Sequence, residues 1–225
     1  VNKKKIKLLK KFKLYYGLNF KSQNKLKTLN KNFLYSETLN WSLSLEKWIN
    51  QIDSKYILIL LDDHIIKKFS ITSLEAIIKD IKNNKVLYAP LTYGTNILRN
   101  IVDIKTFIRG KVLDGKYSIN LQPAIWEKSC LLRLLKGTSN PWDFEICSSL
   151  EYEKKKFNAY FYITKNIIFY EQFIERGKVY PRRFYIIFKS DYRILTNRSE
   201  LEFKRRFISH IGYIYKIFKE FINTL

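Results

Sequence analysis

The sequence is short of several residue types, and each shortage excludes a class of protein. Its two cysteines, Cys130 and Cys147, are too few for a disulfide framework and lack the paired spacing of a zinc motif, so we expect a reducing compartment. With only His64 and His210 available, a histidine-based catalytic triad is a poor prospect. The longest aliphatic run, Ile57 to Leu61, is far too short for a membrane span.

Several sequence motifs and signals are missing as well. There is no P-loop, GxGxxG, GxSxG or HExxH motif, which removes the best-known signatures of nucleotide, hydrolase and zinc chemistry. The basic N-terminus is not followed by a sustained apolar stretch, so no signal peptide is expected. We therefore predict a cytoplasmic protein, at most peripheral on the inner face of the plasma membrane. Methionine is absent and the chain begins with Val1, which we interpret as an N-terminal truncation or a GTG start.

Acidic residues are heavily outnumbered in this sequence. There are 20 Asp and Glu against 42 Lys and Arg, which gives a formal net charge of +22. Such a field favours anionic partners: nucleic acid, anionic lipid or phosphorylated small molecules. Codon bias acting on a solvated surface explains the lysine excess equally well. The apolar share of 46% is enough to build a core and excludes a disordered tail.

The spacing of apolar residues predicts an α/β fold. The stretch KYILILLDD (55–63) is apolar on both faces, as is typical of a central strand covered by helices. Helices are predicted on either side of it, over 38–52 and 70–83, and KVLYAPLTY (85–93) predicts the next strand. This alternation indicates a doubly wound sheet. The predicted helix caps are Asn40 or Ser42, then Thr72 or Ser73, then Asn140 with Pro141 at the first helical position, while Gly137 closes a short helix over 127–137.

We treat residues 1–198 as one domain, with residues 199–225 as a basic amphipathic helix. This helix and the lysine-rich first thirteen residues could lie on an anionic membrane, or the helix could pack on the sheet.

Three groups of residues could carry chemistry. Asp62, Asp63 and His64 follow the predicted central strand, at the edge where open α/β sheets bind ligands. Oxygen ligands there suit Mg²⁺ or Mn²⁺, although a pair of capping carboxylates is the competing interpretation. In NPWDFE (140–145), Asp143 or Glu145 could act as a general base beside Trp142, or serve as an ordinary capping acid.

The third group is the basic turn RGKVYPRR (176–183). Arg176 and Lys178 around a glycine suit a phosphate or diphosphate, and a solvated loop is an equally good interpretation.

The motifs and their order resemble bacterial GT-A type glycosyltransferases that build lipopolysaccharide or capsule. The resemblance runs over residues 14–181 and rests on WSLSLEKWINQIDSKYILILLDDH, YSINLQPAIWEKSCLLRLL, NPWDFE and RGKVYP. It implies a GT-A-like, Rossmann-like sheet, mixed and mostly parallel, that is flanked by helices. Members open with a strand and helix of the nucleotide pocket, for which this sequence has no counterpart.

The resemblance also implies a role for individual residues. Asp62, Asp63 and His64 stand where a DXD-type signature holds a divalent metal, Mn or Mg, with His64 replacing the second aspartate. Gln122 and Trp126 match a segment that lines the sugar and acceptor pocket. The remaining matches are Glu145, with Asp143 near it, as the base of an inverting transfer; Trp142 as part of the binding site; and Arg176 and Lys178 as diphosphate contacts.

The expected function is therefore transfer of a sugar from a nucleotide-sugar donor to a glycan or lipid-linked glycan acceptor. Two alternatives stay open. One is a basic module that binds nucleic acid, which explains the charge but not the acid pair after an apolar strand. The other is an inactive, truncated glycosyltransferase.

Overall fold

The structure is a computed structural model, and the chain folds into two compact units. One contains the described residues up to Leu61 and from Lys68 to Phe169; the other contains those from His64 to Lys67 and from Tyr170 onward. The residues that the structure describes are 12–13, 15–18, 32–36, 38, 40–61, 64–91, 99–104, 107–163, 168–172, 174–175 and 178–180.

A three-stranded sheet lies at the centre of the first unit, formed by β3 (Tyr56–Ile59), β5 (Tyr88–Pro90) and β8 (Ala124–Glu127). Their order is β3-β8-β5, and β8 runs antiparallel to both neighbours. It follows that β3 and β5 are parallel to each other. The residues of β8 are suited to the middle position because Ala124, Ile125 and Trp126 are all buried.

A second sheet continues from β5. Its three strands are β6 (Arg99–Ile104), β7 (Phe107–Lys111) and β9 (Tyr160–Ile163), in the order β6-β7-β9 with antiparallel pairing. A parallel bridge between Tyr88 and Ala159 connects β5 to the segment that enters β9. The amide of Val112 also donates to the carbonyl of Ala159 at 3.1 Å, so the two sheets are joined by backbone contacts.

The first two strands among the described residues form a parallel pair, β1 (Tyr15–Leu18) and β2 (Asn32–Tyr35). Gly17 of β1 lies directly against the indole of Trp48. A Cβ atom at this glycine would stand 2.5 Å from Cε3 of Trp48, closer than real contacts allow. The sequence therefore needs glycine here because of space and not because of backbone conformation.

Four helices are present among the described residues: α1 (Trp41–Asn50), α2 (Ile71–Asn83), α3 (Lys128–Leu135) and α4 (Pro141–Lys155). Asn40 caps α1 by accepting the amide of Leu43 at 3.0 Å, as one of the predicted alternatives had it. The cap of α2 is Ser70 and not Thr72 or Ser73, because the Ser70 hydroxyl accepts the amide of Ser73 at 3.2 Å. Thr72 and Ser73 already have helical backbone, so the prediction was late by at least two residues.

The core of the first unit is aromatic where the helices meet the sheet. Tyr88 packs on Trp126 with ring centroids 4.3 Å apart, Trp126 meets Phe144 edge-on at 5.8 Å, and Phe144 meets Trp41 at 5.9 Å. This row of rings joins β5, β8, α4 and α1. Burial of three of these side chains to 0% exposure stabilises the arrangement by roughly 2 kcal/mol each.

In the second unit the described strands are short. The strand β4 (His64–Phe69), which begins there, pairs with β10 (Ile168–Gln172), and β11 (Ile174–Glu175) pairs antiparallel with β12 (Lys178–Val179). The ring of His64 packs against Tyr170 with centroids 4.5 Å apart.

The fold is therefore mixed α/β with small sheets, and two details of the prediction need correction. The sheet is not mostly parallel, since the pairings of β8 and of β7 are antiparallel. The predicted central strand, β3, pairs only with β8 within the described residues, and only Ile59 of its four residues is buried. The predicted helix over 199–225 lies outside the described residues.

Candidate functional site

The start of α4 places the carboxylates of NPWDFE, and its geometry follows from the sequence Asn-Pro. The side-chain oxygen of Asn140 accepts the amides of Trp142 and Asp143 at 3.1 and 3.0 Å, and Pro141 occupies the first turn, where no amide is needed. Just before it, the hydroxyl of Thr138 lies 2.8 Å from that of Ser42 in a buried contact. The beginning of α4 is thus fixed to α1.

Asp143 belongs to the cap. Its Oδ2 atom accepts hydrogen bonds from the hydroxyl of Ser139 at 2.6 Å and from the amide group of Asn140 at 2.5 Å. A carboxylate in the first turn also interacts favourably with the helix dipole. These contacts explain the residue structurally without any substrate.

Glu145 is in a different environment, although it is only two residues away. It is half-buried between α4 and the segment 119–122, and its Oε1 atom accepts the backbone amide of Leu121 at 2.8 Å. Burial raises the pKa of Glu145 above the ordinary carboxyl value, and the hydrogen bond from Leu121 opposes that shift in part. Among the described residues no group donates to Oε2. One oxygen is therefore held by the backbone, and the other makes no hydrogen bond within that part of the chain.

The segment 119–122 precedes β8, and its backbone amides bond to side chains and not to a neighbouring strand. Its four successive amides donate to side-chain oxygens: Ile119 to Ser149 at 3.1 Å, Asn120 to the hydroxyl of Tyr88 at 3.2 Å, Leu121 to Glu145 at 2.8 Å and Gln122 to Oδ1 of Asn120 at 3.1 Å. Each of these amides therefore has the partner that a buried backbone group requires, and each partner is a side chain.

The other predicted residues of the binding site are distributed around Glu145. Gln122 is half-buried and next to the amide that Glu145 holds. Trp142 is 54% exposed on the first turn of α4. Because residues three apart on a helix are neighbours, Trp142 and Glu145 share a face. Trp126, by contrast, is fully buried against Tyr88 and Phe144, so its ring supports the site from the core and does not line a surface.

The structure describes only some of the residues that were predicted to bind a metal or a diphosphate. Asp62, Asp63 and Arg176 lie outside the described residues. His64 begins β4, with its ring half-buried on Tyr170, and Lys178 begins β12, opposite Glu175 in the strand pair. Both belong to the second unit. Within the described ranges, no three His, Cys, Asp or Glu side chains come together in a way that would hold a metal ion, so the metal stays a prediction.

Three residues around Glu145 were not singled out from the sequence: Tyr88, Asn120 and Ser149. Tyr88 and Asn120 are 32 residues apart, and Ser149 is 30 residues from Ile119, the residue it contacts. A tyrosine inside an apolar strand and a serine inside a helix carry no local signal for such contacts. Only the pairing of β5 beside β8, with α4 packed on them, brings these groups together.

Comparison with known proteins adds no family to these observations. No family model matches the sequence, and no curated protein matches it significantly. Among the described helices, none combines the length and the apolar character that a membrane crossing requires.

Proposed function

We propose that the chain is a GT-A-like glycosyltransferase in which Glu145 accepts the proton of the acceptor hydroxyl. The observation that carries this proposal is the state of the Glu145 carboxylate, with Oε1 fixed by Leu121 and Oε2 without a donor among the described residues. A raised pKa makes a carboxylate a stronger base, as long as it is ionised at the working pH.

In the proposed reaction, Oε2 takes the proton as the acceptor oxygen forms a bond to the anomeric carbon of the donor sugar. The bond from that carbon to the nucleoside diphosphate breaks, and the electron pair leaves with the diphosphate. Attack opposite the leaving group inverts the anomeric configuration. A positioned general base of this type contributes typically 10²–10⁴-fold to the rate, which sets the scale for its removal.

Trp142 supports a carbohydrate as the acceptor. An exposed indole one helical turn before the base offers a flat apolar surface to the C–H face of a sugar ring, while the hydroxyls at the ring edge remain free to reach a carboxylate. Gln122 follows Leu121, whose amide Glu145 holds, and its side chain carries an amide of the kind that binds sugar hydroxyls. The proposed acceptor is therefore a glycan, free or lipid-linked.

The donor side of the proposal rests on the sequence. Asp62, Asp63 and His64 would hold a divalent metal, Mn or Mg, on the diphosphate of a nucleotide sugar, and Arg176 with Lys178 would contact that diphosphate. The mixed α/β architecture of the first unit is compatible with a GT-A-like domain, and the antiparallel β8 is a feature that such a domain would have to accommodate.

The test is release of nucleoside diphosphate or monophosphate from UDP-, GDP- and CMP-sugars, with and without acceptor glycosides. We expect one donor class to give acceptor-dependent turnover that the Glu145→Gln variant loses. Glu151→Gln is the matched control, because Glu151 lies on the same helix in exposed ion pairs with Arg133 and Lys155. Equal turnover by the Glu145→Gln and native chains would contradict the proposal.

Because the net charge is +22, nucleic acid is the competing candidate ligand, and its binding should be tested as well. Binding through phosphates weakens steeply with salt, so a gel shift lost between about 50 and 200 mM salt, together with absence of sugar transfer, would favour that rival.

A further inference from the structure

Tyr88 is placed to control the backbone that Glu145 holds. It lies on β5 and is 0% exposed, and its ring is fixed against Trp126 at 4.3 Å. Its hydroxyl reaches Asn120 from the sheet side: it accepts the amide of Asn120 at 3.2 Å and lies 3.1 Å from the carbonyl oxygen and 3.3 Å from Oδ1 of the same residue. One phenol thus contacts three polar atoms of a single residue.

The hydroxyl has the right protonation state for this contact. Burial raises the pKa of Tyr88 well above its ordinary value, and the negative charge of Glu145 raises it further. The phenol therefore keeps its proton at neutral pH, so that it donates to the carbonyl or side-chain oxygen of Asn120 while it accepts the amide.

The segment 119–122 is held from two sides, and Tyr88 supplies one of them. Ser149 and Glu145 hold Ile119 and Leu121 from α4. Tyr88 holds Asn120, the residue between them, from β5. Asn120 in turn accepts the amide of Gln122. Without the hydroxyl, the middle residue would be free to turn, and both the Leu121 amide and the Gln122 backbone would lose their fixed direction.

We propose that Tyr88 is a positioning residue for the transfer site: it fixes the peptide of Asn120 so that the Leu121 amide points at Glu145 and Gln122 is presented beside it. This inference rests on the proposed function for its effect on turnover, but its structural part is independent of any reaction. Tyr88 touches no reacting atom in this account, and it acts only through Leu121, Gln122 and Glu145.

The variant Tyr88→Phe removes the hydroxyl and keeps the ring packing on Trp126. The matched control is Tyr152→Phe, since Tyr152 is also buried and its hydroxyl bonds a backbone carbonyl, that of Val112, in the same unit. Both variants remove a buried tyrosine hydroxyl and should lose stability, Tyr88→Phe somewhat more because its hydroxyl accepts as well as donates a hydrogen bond. Only Tyr88→Phe should disturb the segment 119–122.

The first measurement is amide hydrogen exchange by NMR, which needs no substrate. We expect exchange at Leu121 and Asn120 to be about fivefold faster in Tyr88→Phe than in Tyr152→Phe, because a hydrogen bond worth roughly 1 kcal/mol at the middle residue is lost. Equal exchange in the two variants would overturn the structural part of the inference.

The second measurement is kcat against pH. The Leu121 amide lowers the pKa of Glu145, so loosening it should move the acid limb of the profile to higher pH. Below the midpoint of that limb, kcat should fall about threefold in Tyr88→Phe, which corresponds to a limb displaced by about half a pH unit. A loss of stability alone, as expected for Tyr152→Phe, would leave the acid limb of the profile at its native pH. An acid limb at the native pH in Tyr88→Phe would refute a positioning role.

Failure of this inference can be distinguished from failure of the proposed function. If Glu145→Gln is inactive and Tyr88→Phe has a native profile, the function stands and the role of Tyr88 does not. If Glu145→Gln is fully active, the proposed function fails, and the exchange experiment alone decides on Tyr88. Should Tyr88→Phe not fold, Asn120→Ala removes the side-chain oxygen near the Tyr88 hydroxyl, and it should accelerate exchange at Leu121, whose own acceptor Glu145 is unchanged. Unchanged exchange there would count against the inference.

Discussion

Asp80 of α2 connects three elements of the first unit, and its removal should cost more stability than that of any exposed ion pair. Its two carboxylate oxygens accept hydrogen bonds from Nη1 of Arg109 on β7 at 3.0 and 2.9 Å. The Oδ2 atom also accepts a hydrogen bond from the hydroxyl of Tyr162 on β9 at 2.7 Å. The side chains of Arg109 and Asp80 are 17% and 16% exposed. This pair is therefore largely shielded from water.

The variant Asp80→Ala would leave the Arg109 charge and the Tyr162 hydroxyl without their acceptor. Breaking a buried pair costs about 3–5 kcal/mol, and the remaining exposure places this one near the lower end, at about 3 kcal/mol of unfolding free energy. Urea unfolding followed by circular dichroism measures the loss. The double variant Asp80→Ala/Arg109→Met should recover part of it, because no uncompensated charge stays buried.

Glu151→Ala provides the matched comparison, because it breaks contacts to Arg133 and Lys155 that are far more exposed. Such exposed pairs contribute about 0–1 kcal/mol. If Asp80→Ala cost no more than Glu151→Ala, the reasoning from burial would be refuted.

Three further predictions concern other parts of the first unit. Gly17→Ala should lower the unfolding free energy by about 2 kcal/mol in urea titrations, because the new methyl overlaps the Trp48 ring; a neutral result would mean that the ring moves aside freely. The pKa of Glu145 is higher in the folded state than in the unfolded state. Its contribution to the unfolding free energy is therefore fully present below the unfolded-state pKa and is lost as pH rises through the folded-state pKa. Glu145→Gln should flatten this fall in stability measured from pH 4 to 8, and an unchanged slope would contradict the assigned burial. A maleimide should label exposed Cys147 rapidly in the native protein and Cys130 only after unfolding, since burial shields Cys130 and raises its pKa; equal labelling would contradict the packing of α3.

Local signals in the sequence predicted the helices and several strands well. The Asn140-Pro141 pair fixed the start of α4 to the residue, since a side-chain cap and a missing amide act within one turn. Gly137 has a φ of +78°, as expected for the glycine that closes α3. The strands β3 and β5 fall inside the segments predicted as strands, 55–63 and 85–93.

The pairing of the strands could not be predicted from the same signals. An apolar run such as that of β3 is typical of a central strand, but its neighbours depend on where β8 inserts, and β8 is antiparallel. The stretch around β6 and β7 has charged residues such as Arg109 among its apolar ones. The alternation of apolar and polar residues that indicates a strand is therefore weak there. Arg109 is compatible with its strand only because Asp80 and Tyr162 meet it from elsewhere in the chain.

The sequence named the residue types of the candidate site, but the different surroundings of its two carboxylates could not be predicted from it. NPWDFE indicated a base at Asp143 or Glu145, and the sequence left the two nearly equivalent. Their difference arises from distant partners, since Asp143 is bound within its own helix cap whereas Glu145 faces Leu121 on another segment. The contribution of Tyr88 depends on the same long-range packing.

The measurement that tests the central claim most directly is the kcat for sugar transfer by Glu145→Gln compared with Asp143→Asn. The account predicts a loss of about 10²–10⁴-fold for Glu145→Gln, because the base is gone while the Leu121 amide still has an oxygen acceptor. It predicts nearly native kcat for Asp143→Asn, whose oxygen can still accept the cap hydrogen bonds. The reverse pattern, with Asp143→Asn inactive and Glu145→Gln active, would contradict the account.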